Sequence, residues 1–224
     1  MGTRISFPRV DGKKTEGYLA KAGNDHAPAV VVIQEWWGLQ DQIKGICDRF
    51  ALAGYDALAP DLYAGTVVPY HDAAAAMKEM QSLNFQDAFS QVVRGAAQYL
   101  LKSSPKVGIT GFCMGGTVTI LSAAHVPEFS AAVPFYGMPP AQFFKPSDLK
   151  IPLQGHFSNH DDYPSPAQLD EFEVALKAAG IKADLFRYDA HHAFMNEQRD
   201  AHDRATAELA WGRMLGFFKY HLAK

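Results

Sequence analysis

The chain has 224 residues, of which 48% are hydrophobic and 20% charged, and its formal net charge is −3. This composition is that of a globular protein large enough for one domain, and it gives no global electrostatic reason to bind nucleic acid or an anionic membrane. No apolar run approaches the roughly 20 residues that span a bilayer, and residues 1–8 lack the apolar core of a signal peptide. The two cysteines, Cys47 and Cys113, are too few for a disulfide framework, so we expect a reducing, cytoplasmic compartment.

Short apolar strands alternate with amphipathic helices along the chain. An N-terminal hairpin is predicted at 4–7 and 15–19, followed by strands at 29–33, 55–59, 106–110, 131–136, 151–155 and 183–188. Helices are predicted at 39–53, 71–81, 84–103, 115–125, 166–179 and 202–222, the first and fifth ending at Gly54 and Gly180. The alternation predicts one α/β domain over 1–224, with a mostly parallel central sheet, helices on both faces and an antiparallel hairpin at one edge.

The motif Gly111-Phe112-Cys113-Met114-Gly115 lies between a predicted strand and a predicted helix. It matches the sharp strand-to-helix turn that carries a catalytic nucleophile, here called the elbow, with cysteine as the nucleophile. The following helix directs its N-terminus at the thiol, which favours a thiolate, and the N–H of Met114 is a natural oxyanion donor. The alternative for Cys113 is a glycine-rich turn that carries an inert buried thiol. For Cys47, on the apolar face of its predicted helix, we favour inert packing.

Acid and base candidates follow the last two predicted strands. Asp161 and Asp162 come after the strand at 151–155, and His191 and His192 come after the strand at 183–188. Nucleophile, acid and histidine therefore occur in the chain order of a hydrolase triad. A metal site is the main alternative, but neither a His-Glu-x-x-His nor a Cys-x-x-Cys motif is present, and a metal would leave the cysteine elbow unexplained.

The segment 34–39, Gln-Glu-Trp-Trp-Gly-Leu, follows the strand at 29–33, where this type of fold supplies a second oxyanion donor. Glu35 could act near the thiol or could merely stabilise the N-terminus of the next helix. Trp36 and Trp37 could line the site or pack in the core.

These motifs, together with Ala59-Pro60-Asp61-Leu62-Tyr63, Asp161-Asp162-Tyr163 and His192-Ala193-Phe194, resemble the dienelactone hydrolase family of α/β-hydrolases. The resemblance implies that Cys113 is the nucleophile, His192 the base and Asp161 its orienting acid. It implies that Trp36 supplies the second oxyanion N–H. It also implies that Glu35 binds the resting thiol and is displaced by substrate, which makes it a gate.

The sequence departs from the family at the arginines that grip the substrate carboxylate. No arginine lies between Arg49 and Arg94, and Asn196 stands four residues after His192, where the archetypal enzyme has the second arginine. Arg199 and Arg204 follow, and we expect both on a solvated helix face. We therefore expect a neutral ester or lactone rather than the anionic dienelactone. Its pocket is predicted to be lined by four aromatic residues: Trp37, Tyr63, Tyr136 and Phe157.

The predicted activity is cofactor-free hydrolysis of a carboxylic ester or lactone through a thioester acyl-enzyme. The expected partner is a small-molecule substrate, with neither nucleic acid nor membrane, and the expected state is a monomer or weak homo-oligomer. Two alternatives remain: hydrolysis that extends to phosphoesters or phosphotriesters, and a redox-sensing thiol protein on the same fold.

Overall fold

The structure is a computed structural model, and it describes residues 1–223. Eight strands form one sheet in the order β1-β2-β4-β3-β5-β6-β7-β8. Their bounds are β1 Thr3–Pro8, β2 Lys14–Ala20, β3 Ala29–Ile33, β4 Asp56–Pro60, β5 Val107–Phe112, β6 Phe129–Phe135, β7 Leu153–His160 and β8 Ala183–His191. The strands β1 and β2 pair antiparallel at one edge, β2 joins β4 antiparallel, and all other pairs are parallel. The predicted fold class is confirmed.

Helices cover both faces of this sheet. Their bounds are α1 Asp41–Leu52, α2 Ala73–Ser82, α3 Phe85–Asp87, α4 Arg94–Leu100, α5 Met114–His125, α6 Pro166–Ala178 and α7 Arg204–Leu222. A π-helical segment, Ala88–Val93, joins α3 to α4, so the single regular helix predicted at 84–103 was wrong in its interior. None of the helices within residues 1–223 is both long enough and apolar enough to cross a membrane.

Burial explains why the central strands read as continuous apolar runs. Every residue of β3 and β5 is buried, because helices cover both faces of a parallel sheet. Two buried apolar clusters result, one on each side of the sheet: one includes Phe50 and Phe218, and the other includes Val118 and Leu121. Gly54 and Gly180 have φ of 92° and 71°, so each ends its helix in the left-handed conformation that glycine tolerates.

The last two strands extend beyond their predicted ends. The strand predicted at 151–155 runs to His160, and that predicted at 183–188 runs to His191. Parallel strands all end on the same side of a sheet. Cys113, Asp161 and His192 follow the carboxyl ends of β5, β7 and β8, so all three lie on that side, which we call the sheet edge.

Candidate active site

The elbow between β5 and α5 places Cys113 in a conformation that side-chain-bearing residues rarely adopt. Its φ is 57° and its ψ is −119°, directly before the first residue of α5. Such strain costs on the order of 1–3 kcal/mol and persists only where the surroundings hold it in place. A backbone at this position is therefore fixed by its packing, and it presents the thiol to the cavity beyond the sheet edge.

Glycines allow neighbouring backbones to approach the elbow closely. A Cβ atom on Gly115 would lie 2.5 Å from the carbonyl oxygen of Ile33, and one on Gly137 would lie 1.9 Å from the carbonyl oxygen of Cys113. The sequence pattern indicated Gly115 but gave no signal for Gly137, which approaches the elbow from the end of β6. Both positions exclude any side chain.

His192 and Asp161 form an ion-paired hydrogen bond at the same sheet edge. Nδ1 of His192 lies 2.7 Å from Oδ2 of Asp161. The hydroxyl of Ser158 donates to that same carboxylate oxygen over 2.9 Å, and the N–H of Tyr163 donates to the other over 3.1 Å. The carboxylate is thus fixed by three donors, and it fixes the orientation of the imidazole in turn.

The neighbours of the chosen acid and base line the same cavity but are hydrogen-bonded to neither Asp161 nor His192. His191 is exposed, and its ring lies against His160 with centroids 5.2 Å apart. Asp162 is exposed, and the structure records no side-chain hydrogen bond to it within residues 1–223. Of the four candidates at these strand ends, only Asp161 and His192 are joined to each other.

The pKa of His192 is raised to about 10. Burial lowers this pKa, but hydrogen bonds to Asp161 and to the Cys113 thiol, together with their negative charges, outweigh the burial. The Asp161 carboxylate and the neighbouring thiol thus both raise the affinity of the imidazole for a proton. The Cys113 thiol and the His192 imidazole thus line one cavity, and the imidazole is hydrogen-bonded to the Asp161 carboxylate.

Glu35 lies in the wall of the cavity but does not pair with the thiol. Its Oε1 accepts a hydrogen bond from the Tyr136 hydroxyl at 3.2 Å, and its Oε2 accepts one from Nδ2 of Asn196 at 2.8 Å. Among residues 1–223 no hydrogen bond joins Glu35 to Cys113, so the expected resting contact is absent from this structure. Burial raises the pKa of Glu35, and the two donors and the nearby charge of His192 oppose that shift.

Asn196 and Tyr136 are the buried residues that hold this glutamate. Nδ2 of Asn196 also lies 3.3 Å from the Tyr70 hydroxyl, so one amide joins three parts of the chain. The ring of Tyr136 packs edge-on against His192, with centroids 5.0 Å apart. Sequence reasoning identified Asn196 only by the arginine it lacks; its partner Glu35 is 161 positions away, beyond the range of any local pattern.

The two predicted oxyanion donors belong to residues that line the same cavity as the thiol. Met114 is the first residue of α5, where backbone N–H groups have no partner inside the helix. Trp36 lies in a turn closed by a hydrogen bond of 3.3 Å from the N–H of Gly38 to the carbonyl of Glu35. The Met114 N–H therefore has no partner inside its helix and can bind a ligand oxygen.

A large cavity opens at this edge of the sheet, with a volume of about 1640 Å³. Cys113, His192, Trp37 and Tyr136 line it. Tyr63 does not; its hydroxyl donates to the sulfur of Met114 over 3.2 Å, behind the elbow.

Phe157 also lies outside the cavity wall. It is 1% exposed on β7, with its ring packed against Gly155. The prediction that Tyr63 and Phe157 line the pocket was therefore wrong, because their side chains point into the core rather than past the strand ends.

Arg199 is a cavity residue that sequence reasoning placed elsewhere. It lies in the turn before α7, where it donates to the carbonyl oxygen of Tyr70 over 2.9 Å. Its guanidinium lies over the ring of Trp37 at 4.9 Å from the centroid and contributes to the cavity wall. The expectation of a solvated helix face was wrong for Arg199 and correct for Arg204, which is exposed on α7 and pairs with Glu208 at 2.8 Å.

The remaining predictions concern the second cysteine and the alternative of a metal site. Cys47 is fully buried, and burial and the charge of Asp48 raise its pKa, so this thiol is held neutral as expected. Within residues 1–223, no group of three His, Cys, Asp or Glu side chains is placed to hold a metal ion.

Comparison with known proteins adds three findings. A family model described as "Dienelactone hydrolase family" matches residues 15–222 of this chain. "Putative carboxymethylenebutenolidase" of Aquifex aeolicus is 32% identical, with 99% of this chain and 100% of that protein aligned. The crystal structure of "Putative Dienelactone Hydrolase" from Klebsiella pneumoniae has a TM-score of 0.88 and 29% identity, over 97% of this chain and 98% of the other.

A second solved structure is similar in fold. It is a dienelactone hydrolase-like promiscuous phosphotriesterase from metagenomic libraries, with a TM-score of 0.83 and 18% identity over 99% of both chains. At that identity the likeness extends to the arrangement of strands and helices alone.

Proposed function

The chain belongs to the dienelactone hydrolase family of α/β-hydrolases, and we propose that it hydrolyses neutral carboxylic esters or lactones with Cys113 as nucleophile. The observation that carries this proposal is that the strained Cys113 shares a cavity with His192, whose pKa the thiol raises and whose ring is hydrogen-bonded to Asp161. A redox sensor would need the thiol alone, whereas here a base and its orienting carboxylate are aligned behind it.

The first half of the reaction forms a thioester. His192 takes the thiol proton, the Cys113 thiolate attacks the substrate carbonyl carbon, and the carbonyl oxygen becomes an oxyanion. The N–H groups of Met114 and Trp36 stabilise this oxyanion. The carbon–oxygen bond to the alcohol then breaks, and the imidazolium gives its proton to the departing oxygen.

The second half returns the enzyme to its starting state. His192 takes a proton from water, and the resulting hydroxide attacks the thioester carbonyl. The carbon–sulfur bond breaks, the acid leaves and the thiolate regains its proton. The residues of this chain suffice for every step, so the proposal includes no cofactor, and it places the enzyme in the reducing cytoplasm, where such a thiol persists.

A neutral substrate follows from the polar groups that face the cavity. Asn196 occupies the position of the family's second arginine, and it is committed to Glu35 and Tyr70. Arg199 is the arginine in the cavity wall, and one of its guanidinium nitrogens is committed to the carbonyl of Tyr70. A fork of two arginines closing on a carboxylate is not available among these residues.

To act as a gate, Glu35 would have to break its hydrogen bonds to both Tyr136 and Asn196 before it could contact the thiol. We therefore propose that in the state described here Glu35 holds the cavity wall and leaves Cys113 to His192. The matched test is the rate of Cys113 alkylation by iodoacetamide in wild type and Glu35→Gln. Equal alkylation rates would support this assignment. A faster rate in the variant would contradict it and support a gating role for Glu35.

The substrate class is tested with a panel of aryl esters, lactones and a phosphotriester, each ester and lactone supplied with and without a carboxylate. We expect release of acid from the neutral esters or lactones, with kcat/KM higher than for their anionic analogues. Preference for the anionic members would contradict the neutral pocket. Turnover of the phosphotriester alone would contradict the carboxylic ester assignment.

A further inference from the structure

The cavity is larger than the catalytic residues need. Its volume of about 1640 Å³ exceeds the roughly 300–1,000 Å³ typical of a small-molecule site. The additional space lies beside α2, the segment 85–89 and α5. Five apolar side chains line it, and we name them the apolar lobe: Met77, Met80, Phe85, Phe89 and Leu121.

The lobe runs away from the thiol along α5. Cys113, Thr117 and Leu121 all line the cavity and are spaced four residues apart, which places them on one face of the helix. At 1.5 Å per residue, Leu121 lies about 12 Å along the helix axis from Cys113. The lobe is thus an extended channel that begins at the nucleophile.

The lobe differs from ordinary core because part of it is exposed to solvent. Met77 is 40% exposed, and Phe143, which also lines the cavity, is 69% exposed. Large apolar side chains exposed together beside a cavity are typical of a site that buries an apolar ligand. Its five members carry no charge, and the ionisable side chain beside them is His125, whose ring stacks on Phe89 with centroids 5.4 Å apart.

The catalytic geometry decides which part of an ester points into the lobe. The leaving alcohol takes its proton from His192, so it lies on the side of the cavity formed by β7 and β8. The lobe is formed by α2, the segment 85–89 and α5, and none of these carries the acid or the base. The acyl group, which stays on the sulfur, is therefore the part that faces the lobe.

We propose that the apolar lobe binds a long, unbranched, uncharged acyl chain, so that the enzyme prefers esters of medium-chain fatty acids over acetate esters. This inference rests on the proposed ester hydrolysis. Each methylene that the lobe buries is expected to raise kcat/KM by up to about fourfold, the factor that corresponds to 0.8 kcal/mol. The gain ends where the chain reaches the end of the lobe.

The test compares p-nitrophenyl acetate, butyrate, octanoate and decanoate with a parallel series of alkyl acetates, all below the concentrations at which micelles form. We expect kcat/KM to rise along the acyl series and to stay flat along the alkyl acetates. A kcat/KM that stays flat or falls along the acyl series overturns the proposal that the lobe binds the acyl chain. A rise confined to the alkyl acetates overturns it as well. Absence of turnover with every ester, acetate included, overturns the proposed function instead.

A variant locates the effect in the lobe. Met80 is half-buried on α2, and Met80→Trp fills part of the channel. We expect the ratio of kcat/KM for octanoate to that for acetate to fall at least about tenfold in this variant. The matched control is Val174→Trp, at a position 69% exposed on α6 and outside the cavity, which should leave the ratio unchanged. An unchanged ratio in a folded Met80→Trp protein overturns the proposal.

Discussion

The cavity has two walls of opposite chemistry. One wall, at the ends of β7 and β8, carries Asp161 and His192, whose hydrogen bond measures 2.7 Å. The other wall, along α2 and α5, is the apolar lobe. Polar contacts in the first wall fix the positions of individual atoms, whereas the apolar side chains of the second wall define only the shape of the cavity. We infer that the first wall sets the rate for every substrate and the second sets the choice among them.

The largest effect should come from removing the base. We expect His192→Gln to lower kcat/KM by about 10⁴ for all esters alike, because the thiol then has no proton acceptor. The measurement is steady-state turnover of p-nitrophenyl acetate and octanoate. His191→Gln is the matched control, since this neighbour packs against His160 and should retain activity. A loss that depended on acyl length would break the separation of the two walls.

A smaller loss is expected from the acid. We expect Asp161→Asn to cost about ten- to a hundredfold less than His192→Gln, because the imidazole remains but loses its orientation and its charge partner. The same two esters measure the change, with Asp162→Asn as control. Equal losses in Asp161→Asn and Asp162→Asn would contradict the assignment of Asp161.

The contact between Glu35 and Asn196 should affect stability more than substrate choice. We expect a coupling of about 1.5–3 kcal/mol in the free energy of unfolding, because the amide donates to a buried carboxylate. A double-mutant cycle of Glu35→Gln and Asn196→Ala, followed by urea unfolding, measures it. Strictly additive single variants would show that the hydrogen bond contributes nothing.

A pH-dependent stability difference follows from His192. Its pKa is raised to about 10 in the folded state by Asp161 and Cys113 against the effect of burial, whereas an unfolded histidine titrates near 6.5. The charged imidazole thus stabilises the fold fully below about pH 6.5, and this contribution is lost as the pH rises through about 10. We expect the difference in unfolding free energy between wild type and His192→Gln to shrink over that range. Urea unfolding at several pH values checks it, and a difference that grew with pH would contradict it.

The fold could be predicted, and the candidate catalytic residues could be located, because their signals are local. Apolar runs gave the strands, and the elbow motif together with the order Cys113, Asp161, His192 indicated the triad positions. The structure brings those three together. Local patterns indicate where each strand ends, and in a parallel sheet the candidate active site lies at the carboxyl ends of the strands.

The rest depends on contacts between distant segments. Glu35 and Asn196 are 161 positions apart, and Arg199 reaches Trp37 only because the turn before α7 folds back over the cavity. Tyr63 and Phe157 follow the same strand-end pattern as true lining residues, but they face the core. The π-helical segment from Ala88 to Val93 keeps a helical pattern in sequence, so it was indistinguishable from a regular helix.

The central claim is that Cys113, and not the other thiol of the chain, attacks the substrate. Its most direct test is kcat/KM for p-nitrophenyl octanoate in Cys113→Ala and Cys47→Ala, with circular dichroism to verify folding. We predict a loss of at least about 10⁴ in Cys113→Ala, and a Cys47→Ala protein that is destabilised by about 1 kcal/mol but active. Turnover retained in folded Cys113→Ala would contradict the account.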